Sequence, residues 1–132
     1  MHGDYTSYKH TYSDKTTDIA LAAGGTGTIV PKSAKHRVYV QKVEGSITTH
    51  ANAKYIRITD GTLIVTLVND LTKAAGVPDE FRQDWGPKGF AFTLGATVTI
   101  ESESSGPVAD VHVEAYEKLD ADLNYLAGAT SQ

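Results

Sequence analysis

The sequence contains no cysteine. Its absence removes disulfide frameworks, thiolate zinc sites and cysteine nucleophiles together, and leaves a chain indifferent to the redox state of its surroundings. Long hydrophobic runs are missing as well. The longest, Leu63-Ile64-Val65-Thr66-Leu67-Val68, has the length of a strand and falls far short of the ~18 apolar residues that a membrane-spanning helix needs. The opening Met1-His2-Gly3-Asp4 is polar, so neither a secretory signal nor a membrane partner is expected. Positive charge is scarce: 12 Lys and Arg stand against 16 Asp and Glu, a formal net charge of −4. Proteins that grip nucleic acid need a basic face, because phosphate contacts supply most of the affinity. Here Lys32, Lys35, Arg37 and Lys42 are spread along a segment that also carries Val38, Val40 and Val43. They read as the solvated side of a strand, and no nucleic-acid partner is expected.

Recognisable catalytic motifs are also lacking. The histidines are His2, His10, His36, His50 and His112, and no two stand two or four residues apart. There is no H-E-x-x-H, G-x-S-x-G, P-loop or G-x-G-x-x-G. Gly24-Gly25-Thr26-Gly27 lacks the lysine and the following helix that phosphate binding wants. Asp110, His112 and Glu114 would share one face of a strand at successive steps of about 7 Å, wide for a single metal ion. They read as an exposed polar face. The carboxylate pairs Glu101/Glu103 and Asp120/Asp122 fall at turn or tail positions and read as solvating groups. The expectation is a protein that is not an enzyme and carries no cofactor or metal.

What the sequence does contain is alternation. Val98 and Ile100 alternate with Thr97, Thr99 and Glu101, and Val111, Val113 and Ala115 alternate with His112 and Glu114. Val38 and Val40 share a face, Val43 breaks their phase, and a bulge near Gln41–Lys42 restores it. Asp60-Gly61 between two β-rich runs reads as a type I′ hairpin turn, and the apolar second arm reads as a central strand. Seven or eight short strands with turn signals between them, and no long amphipathic helix, predict an all-β antiparallel sandwich of jelly-roll or immunoglobulin-like type.

Three segments follow. Residues 1–27 read as an extended N-terminal arm, 28–119 as the β-sandwich domain, and 120–132 as a short C-terminal helix or tail. Tyr5, Tyr8 and Tyr12 in the arm are candidate anchors on a neighbouring protein. Leu71 to Gly89 reads as one long irregular connection with Phe81 and Trp85 as its anchors or ligand contacts. Trp85 with Tyr39, Tyr55 or Tyr116 would make a sugar-binding platform.

Two stretches carry a family resemblance. One is His36-Arg37-Val38-Tyr39-Val40-Gln41-Lys42-Val43 with the strand pair around Asp60-Gly61. The other is Asp84-Trp85-Gly86-Pro87-Lys88-Gly89-Phe90-Ala91-Phe92-Thr93-Leu94-Gly95 followed by Val111-His112-Val113-Glu114-Ala115-Tyr116. Their order resembles small β-sandwich head proteins of tailed bacteriophages, with Trp85 where that pattern has Phe and Ala115 where it has Gly. The resemblance covers roughly residues 36–118. It implies a virion structural protein, a decoration or cement protein made in the host cytoplasm and seated on the capsid surface. Its implied partners are the major capsid protein and its own copies, preferentially as a trimer. The alternative is a carbohydrate- or receptor-binding module of a tail fibre or adhesin.

Overall fold

A computed structural model describes residues 12–51, 54–70 and 79–120. They form ten strands and no helix: β1 Tyr12–Asp14, β2 Thr17–Leu21, β3 Thr26–Ile29, β4 His36–Thr49, β5 Lys54–Thr59, β6 Ile64–Asp70, β7 Asp79–Asp84, β8 Phe90–Ala91, β9 Val98–Ser102 and β10 Val108–Leu119. Every pairing among them is antiparallel. In sheet A, β10 and β4 run side by side, with β1 and β2 along the outer edge of β10 and β7 and β8 along the outer edge of β4. Sheet B has the order β3-β9-β5-β6. The pairs nest as β2 with β10, β3 with β9, β4 with β7 and β8, and β5 with β6, as if one long hairpin had been rolled up. That strand order is the jelly roll, which decides between the two sandwich types the sequence allowed.

The core lies between the sheets. Val38, Val40, Val43 and Ile47 of β4 and Val111, Val113 and Ala115 of β10 meet Ile29, Ile56, Ile58, Val98 and Ile100 of sheet B, with Phe92 among them. β4 keeps its valines inward through the expected bulge. Glu114 lies opposite Lys42 while Ala115 lies opposite Val40, so Gln41 is the extra residue. The bulge also splits the neighbouring edge, because β7 pairs with residues 42–47 and β8 with residues 39–40. Gln41 holds the connection between them, its carbonyl accepting from Trp85 N at 2.8 Å and its Nε2 donating to Pro87 O at 2.7 Å.

Several expectations need correction. The Asp60-Gly61 turn is a four-residue loop, not a two-residue type I′ turn, because Thr59 pairs with Ile64. Only Gly61 has a positive φ there (91°). The Asp60 side chain organises the loop instead, Oδ1 accepting from Thr62 N at 2.8 Å and Leu63 N at 2.7 Å. The strand β6 is the edge of sheet B rather than a central strand; its two-sided apolar character has another reason, given below. Residues 79–84, placed in the irregular connection, are strand β7, and Phe81 lies over Gly45, where a Cβ would come 2.5 Å from the ring. The sandwich also begins earlier than residue 28, since β1, β2 and the start of β3 fall within the span read as an arm. Tyr5 and Tyr8, and the C-terminal segment beyond Asp120, lie outside the described residues.

Candidate interaction surfaces

The two outer faces of the sandwich differ in chemistry. On sheet A, alternation turns Asp110, His112, Glu114 and Tyr116 of β10 outward beside Tyr39, Lys42, Glu44 and Ser46 of β4. Register sets them in rows. Asp18, His112, Glu44 and Arg82 lie across four strands, as do Glu114, Lys42 and Asp84 across three. Opposite charges alternate along both rows, so the face is paired within itself. Lys42 Nζ is 3.0 Å from Glu114 and 3.5 Å from Glu44, and Arg82 Nη2 is 3.1 Å from Asp84. Asp18 Oδ1 sits 2.6 Å from His112 Nδ1, and this bond raises the His112 pKa above its ordinary value. Glu44, His112 and Glu114 bring one nitrogen and two carboxylate oxygens within 4.8 Å of one another. Reading β10 alone missed this grouping, because Glu44 arrives from across the sheet.

At one end of that face the tyrosines gather. Tyr39 and Tyr116 stack at 4.9 Å with rings 5° apart, and Tyr12 tilts onto Tyr116 at 5.3 Å. Tyr12, the described member of the three arm tyrosines, is thus part of β1 and of this stack. Asp120, read from the sequence as a solvating tail group, is buried. It accepts from Arg37 Nε at 2.6 Å and from the Tyr39 hydroxyl at 2.8 Å, while its Oδ1 has no hydrogen-bond partner among the described residues. Burial, then the bond to the Asp120 carboxylate, pushes the Tyr39 pKa up to about 12. Glu117 is buried too: the phase that turns Ala115 inward turns Glu117 inward two residues later. Its Oε1 accepts from Lys32 N at 2.8 Å and lies 3.7 Å from Lys15 Nζ.

The outer face of sheet B is built of hydroxyls and aliphatic groups. One row across it is Thr28, Thr99, Thr59 and Ile64; the next is Thr26, Glu101, Arg57 and Thr66. Arg57 and Glu101 are bound to each other at 2.7 Å, with the guanidinium over the Tyr55 ring at 4.4 Å. Among the described residues the large hydrophobics left exposed are Val30 (56%), Leu63 (37%) and Ile64 (57%). Val30 follows β3, Leu63 precedes β6 and Ile64 opens it, so all three stand at the same end of sheet B, Val30 at one edge and Leu63 and Ile64 at the other. Thus β6 is apolar on both faces because Val65, Leu67 and Val68 pack on the core while Ile64 faces solvent. Asp60 fixes this end to sheet A, its Oδ2 accepting from Thr93 N at 2.7 Å in the loop after β8. Burial works to raise the Asp60 pKa, but the N–H donors of Leu63, Thr93 and Thr62 outweigh it and hold the pKa at about 2.

Trp85 does not stand open as a platform. Its ring meets Phe90 at 5.5 Å, Phe90 meets Phe92 at 4.9 Å, and Trp85, Phe90 and Phe81 all pack against the core. The three tyrosines considered beside it are engaged otherwise, Tyr39 stacked on Tyr116 and Tyr55 beneath Arg57. Among the described residues no helix is long and apolar enough to cross a membrane.

No protein-family model matches the sequence, and no curated protein matches it. Solved structures with some likeness of shape include a virus-like particle of the extra small virus of the prawn Macrobrachium rosenbergii, at 14% identity and TM-score 0.35 over 80% of this chain and 77% of that one. Another is a Bacillus endospore appendage, a disulfide-linked pilus, at 13% identity and TM-score 0.35 over 83% and 88%. A third is an exo-β-1,3-galactanase from Phanerochaete chrysosporium, at 12% identity and TM-score 0.35 over 80% of this chain but 26% of the enzyme. At these scores the likenesses carry no argument. A jelly roll is compatible with structural and binding roles alike, and function has to come from its surfaces.

Proposed function

We propose that this domain works by docking on another protein through the end of sheet B that carries Val30, Leu63 and Ile64, and that the partner is the capsid surface of a tailed phage, which it decorates and reinforces. The observation that supports docking is the gathering of all three exposed large hydrophobics of the described residues at one end of one sheet. Scattered apolar side chains need no explanation, whereas a group on a rigid element marks a contact surface. Its setting suits protein better than nucleic acid or sugar, since the row across that end is Thr28, Thr99 and Thr59 rather than a cation cluster or a stacked aromatic platform. The capsid as partner rests on the resemblance to phage head proteins across residues 36–118. Many weak contacts repeated over a lattice would give firm attachment without a large area in any one of them.

The test is co-sedimentation of the intact chain with expanded, undecorated heads of the phage that encodes it. Saturable binding at a fixed ratio per capsomer is expected, with binding lost in a Val30→Glu, Ile64→Glu double variant. Binding by that variant as strong as by the native chain would remove the docking surface. No binding by the intact chain would remove the capsid as partner. A shorter chain without residues 1–11 keeps every described strand and reports separately on Tyr5 and Tyr8.

A further inference from the structure

The pairing of β4 with β10 joins three metal-binding side chains that are distant in sequence. Glu44 lies opposite His112, and Glu114 follows two residues later on the same face. His112 Nε2 is 3.7 Å from Glu114 Oε2, and the three potential ligand atoms lie within 4.8 Å of one another. A tetrahedral zinc ion with ligands at about 2.0–2.1 Å needs them roughly 3.4 Å apart. The His112–Glu114 pair is close to that already, and Glu44, whose side chain is 40% exposed, has the rotamer freedom to close the remainder. Asp18 supplies an independent element. Its carboxylate lies 2.6 Å from His112 Nδ1, so Nδ1 donates to it, and Nε2, which faces Glu114 at 3.7 Å, is the nitrogen a metal would bind once its own proton is lost. A carboxylate behind a histidine in this way orients it and raises its basicity as a ligand. Both ligand-bearing strands are central in sheet A, so the backbone beneath the group is rigid. A groove of about 510 Å³ opens beside Glu44 and His112 and gives a hydrated ion access.

We propose that Glu44, His112 and Glu114 bind a divalent transition-metal cation of the zinc type. One imidazole and two carboxylates suit Zn²⁺ or Co²⁺, whereas Mg²⁺ favours an all-oxygen octahedral set. The fourth position is open to water. Lys42 now supplies the positive charge, 3.0 Å from Glu114 and 3.5 Å from Glu44. The metal ion displaces its ammonium group, and a doubly charged ion bonded to both carboxylates replaces a singly charged one. Lys42 therefore competes with the metal and sets its affinity low.

The experiment is calorimetric titration of the intact, chelator-washed chain with ZnCl₂, and with CoCl₂ followed by its visible absorption. MgCl₂ serves as the control, and thermal melts of each metal-free variant check that it folds. One site per chain is expected, with a four-coordinate Co²⁺ spectrum. His112→Gln and Glu44→Gln should each weaken Zn²⁺ binding by more than about tenfold, and Asp18→Asn by roughly tenfold as the loss of an orienting carboxylate. Lys42→Gln should tighten it. No saturable Zn²⁺ binding, or unchanged binding in both the folded His112→Gln and Glu44→Gln variants, would overturn the proposal. So would weaker binding in Lys42→Gln, since that would make the ammonium group a support rather than a competitor.

Discussion

The outer faces of the two sheets are made by the same alternation, yet they end up chemically opposite. Sheet A turns out acids, bases and tyrosines that find partners within the sheet, Asp18 with His112, Lys42 with Glu44 and Glu114, and Arg82 with Asp84. Sheet B turns out threonines with one internal ion pair, and toward one end it leaves Val30, Leu63 and Ile64 in water. A paired charged face has little to gain from a protein partner, because binding would have to replace interactions it already has. A sheet end lined by threonines and exposed aliphatic groups gains by being covered. On the proposed reading, the contact surface belongs to sheet B and sheet A is left a role with small ions.

The comparison can be broken at four points. The largest effect is expected where the charge of sheet A turns inward. Glu117→Ala empties a buried position and leaves the part-buried Lys32 N–H without its acceptor; it should cost about 3 kcal/mol of unfolding free energy, read by urea denaturation. Next is the tie that fixes the contact end of sheet B. Asp60→Ala removes acceptors for three backbone N–H groups and should cost about 2 kcal/mol, on the scale of its lowered pKa. The sign follows from that lowering. The Asp60 contribution is fully present above the ordinary carboxylate pKa and is lost as pH falls through about 2. The native chain should therefore lose stability relative to Asp60→Ala in acid melts between about pH 4 and pH 2. Third, Ile64→Glu should weaken partner binding by about tenfold, roughly 1.4 kcal/mol, with a melting temperature near that of the native chain. Smallest is the exposed ladder. Arg82→Ala should change stability by less than about 0.5 kcal/mol and leave partner binding unchanged, as exposed ion pairs contribute little.

Much of the architecture was legible from local pattern. The valines of β4 and β10 announced their inward face, and the broken phase at Val43 located the Gln41 bulge before any strand was paired. The hairpin turn was misread because Asp-Gly signals a two-residue turn only when nothing else engages the aspartate. Here the Asp60 carboxylate is held by Thr93 from a distant loop, a contact that no window around residue 60 contains. Edge and centre were misread for a related reason: apolar residues on both faces of β6 look like burial, but burial of Ile64 depends on which strand lies beyond it. The inward phase of Glu117 was visible two residues after Ala115, although its acceptor role needed Lys32 from the loop between β3 and β4. The grouping of Glu44 with His112 and Glu114 is a property of register between strands far apart in sequence, and single-strand spacing gives no sign of it.

The most direct measurement is site-specific photocrosslinking with p-benzoylphenylalanine placed at Ile64 and, in a second chain, at Arg82, each illuminated on expanded phage heads. Docking through sheet B requires covalent adducts of the major capsid protein from position 64 and few or none from position 82. Equal adducts from both positions, or adducts from position 82 alone, would contradict it.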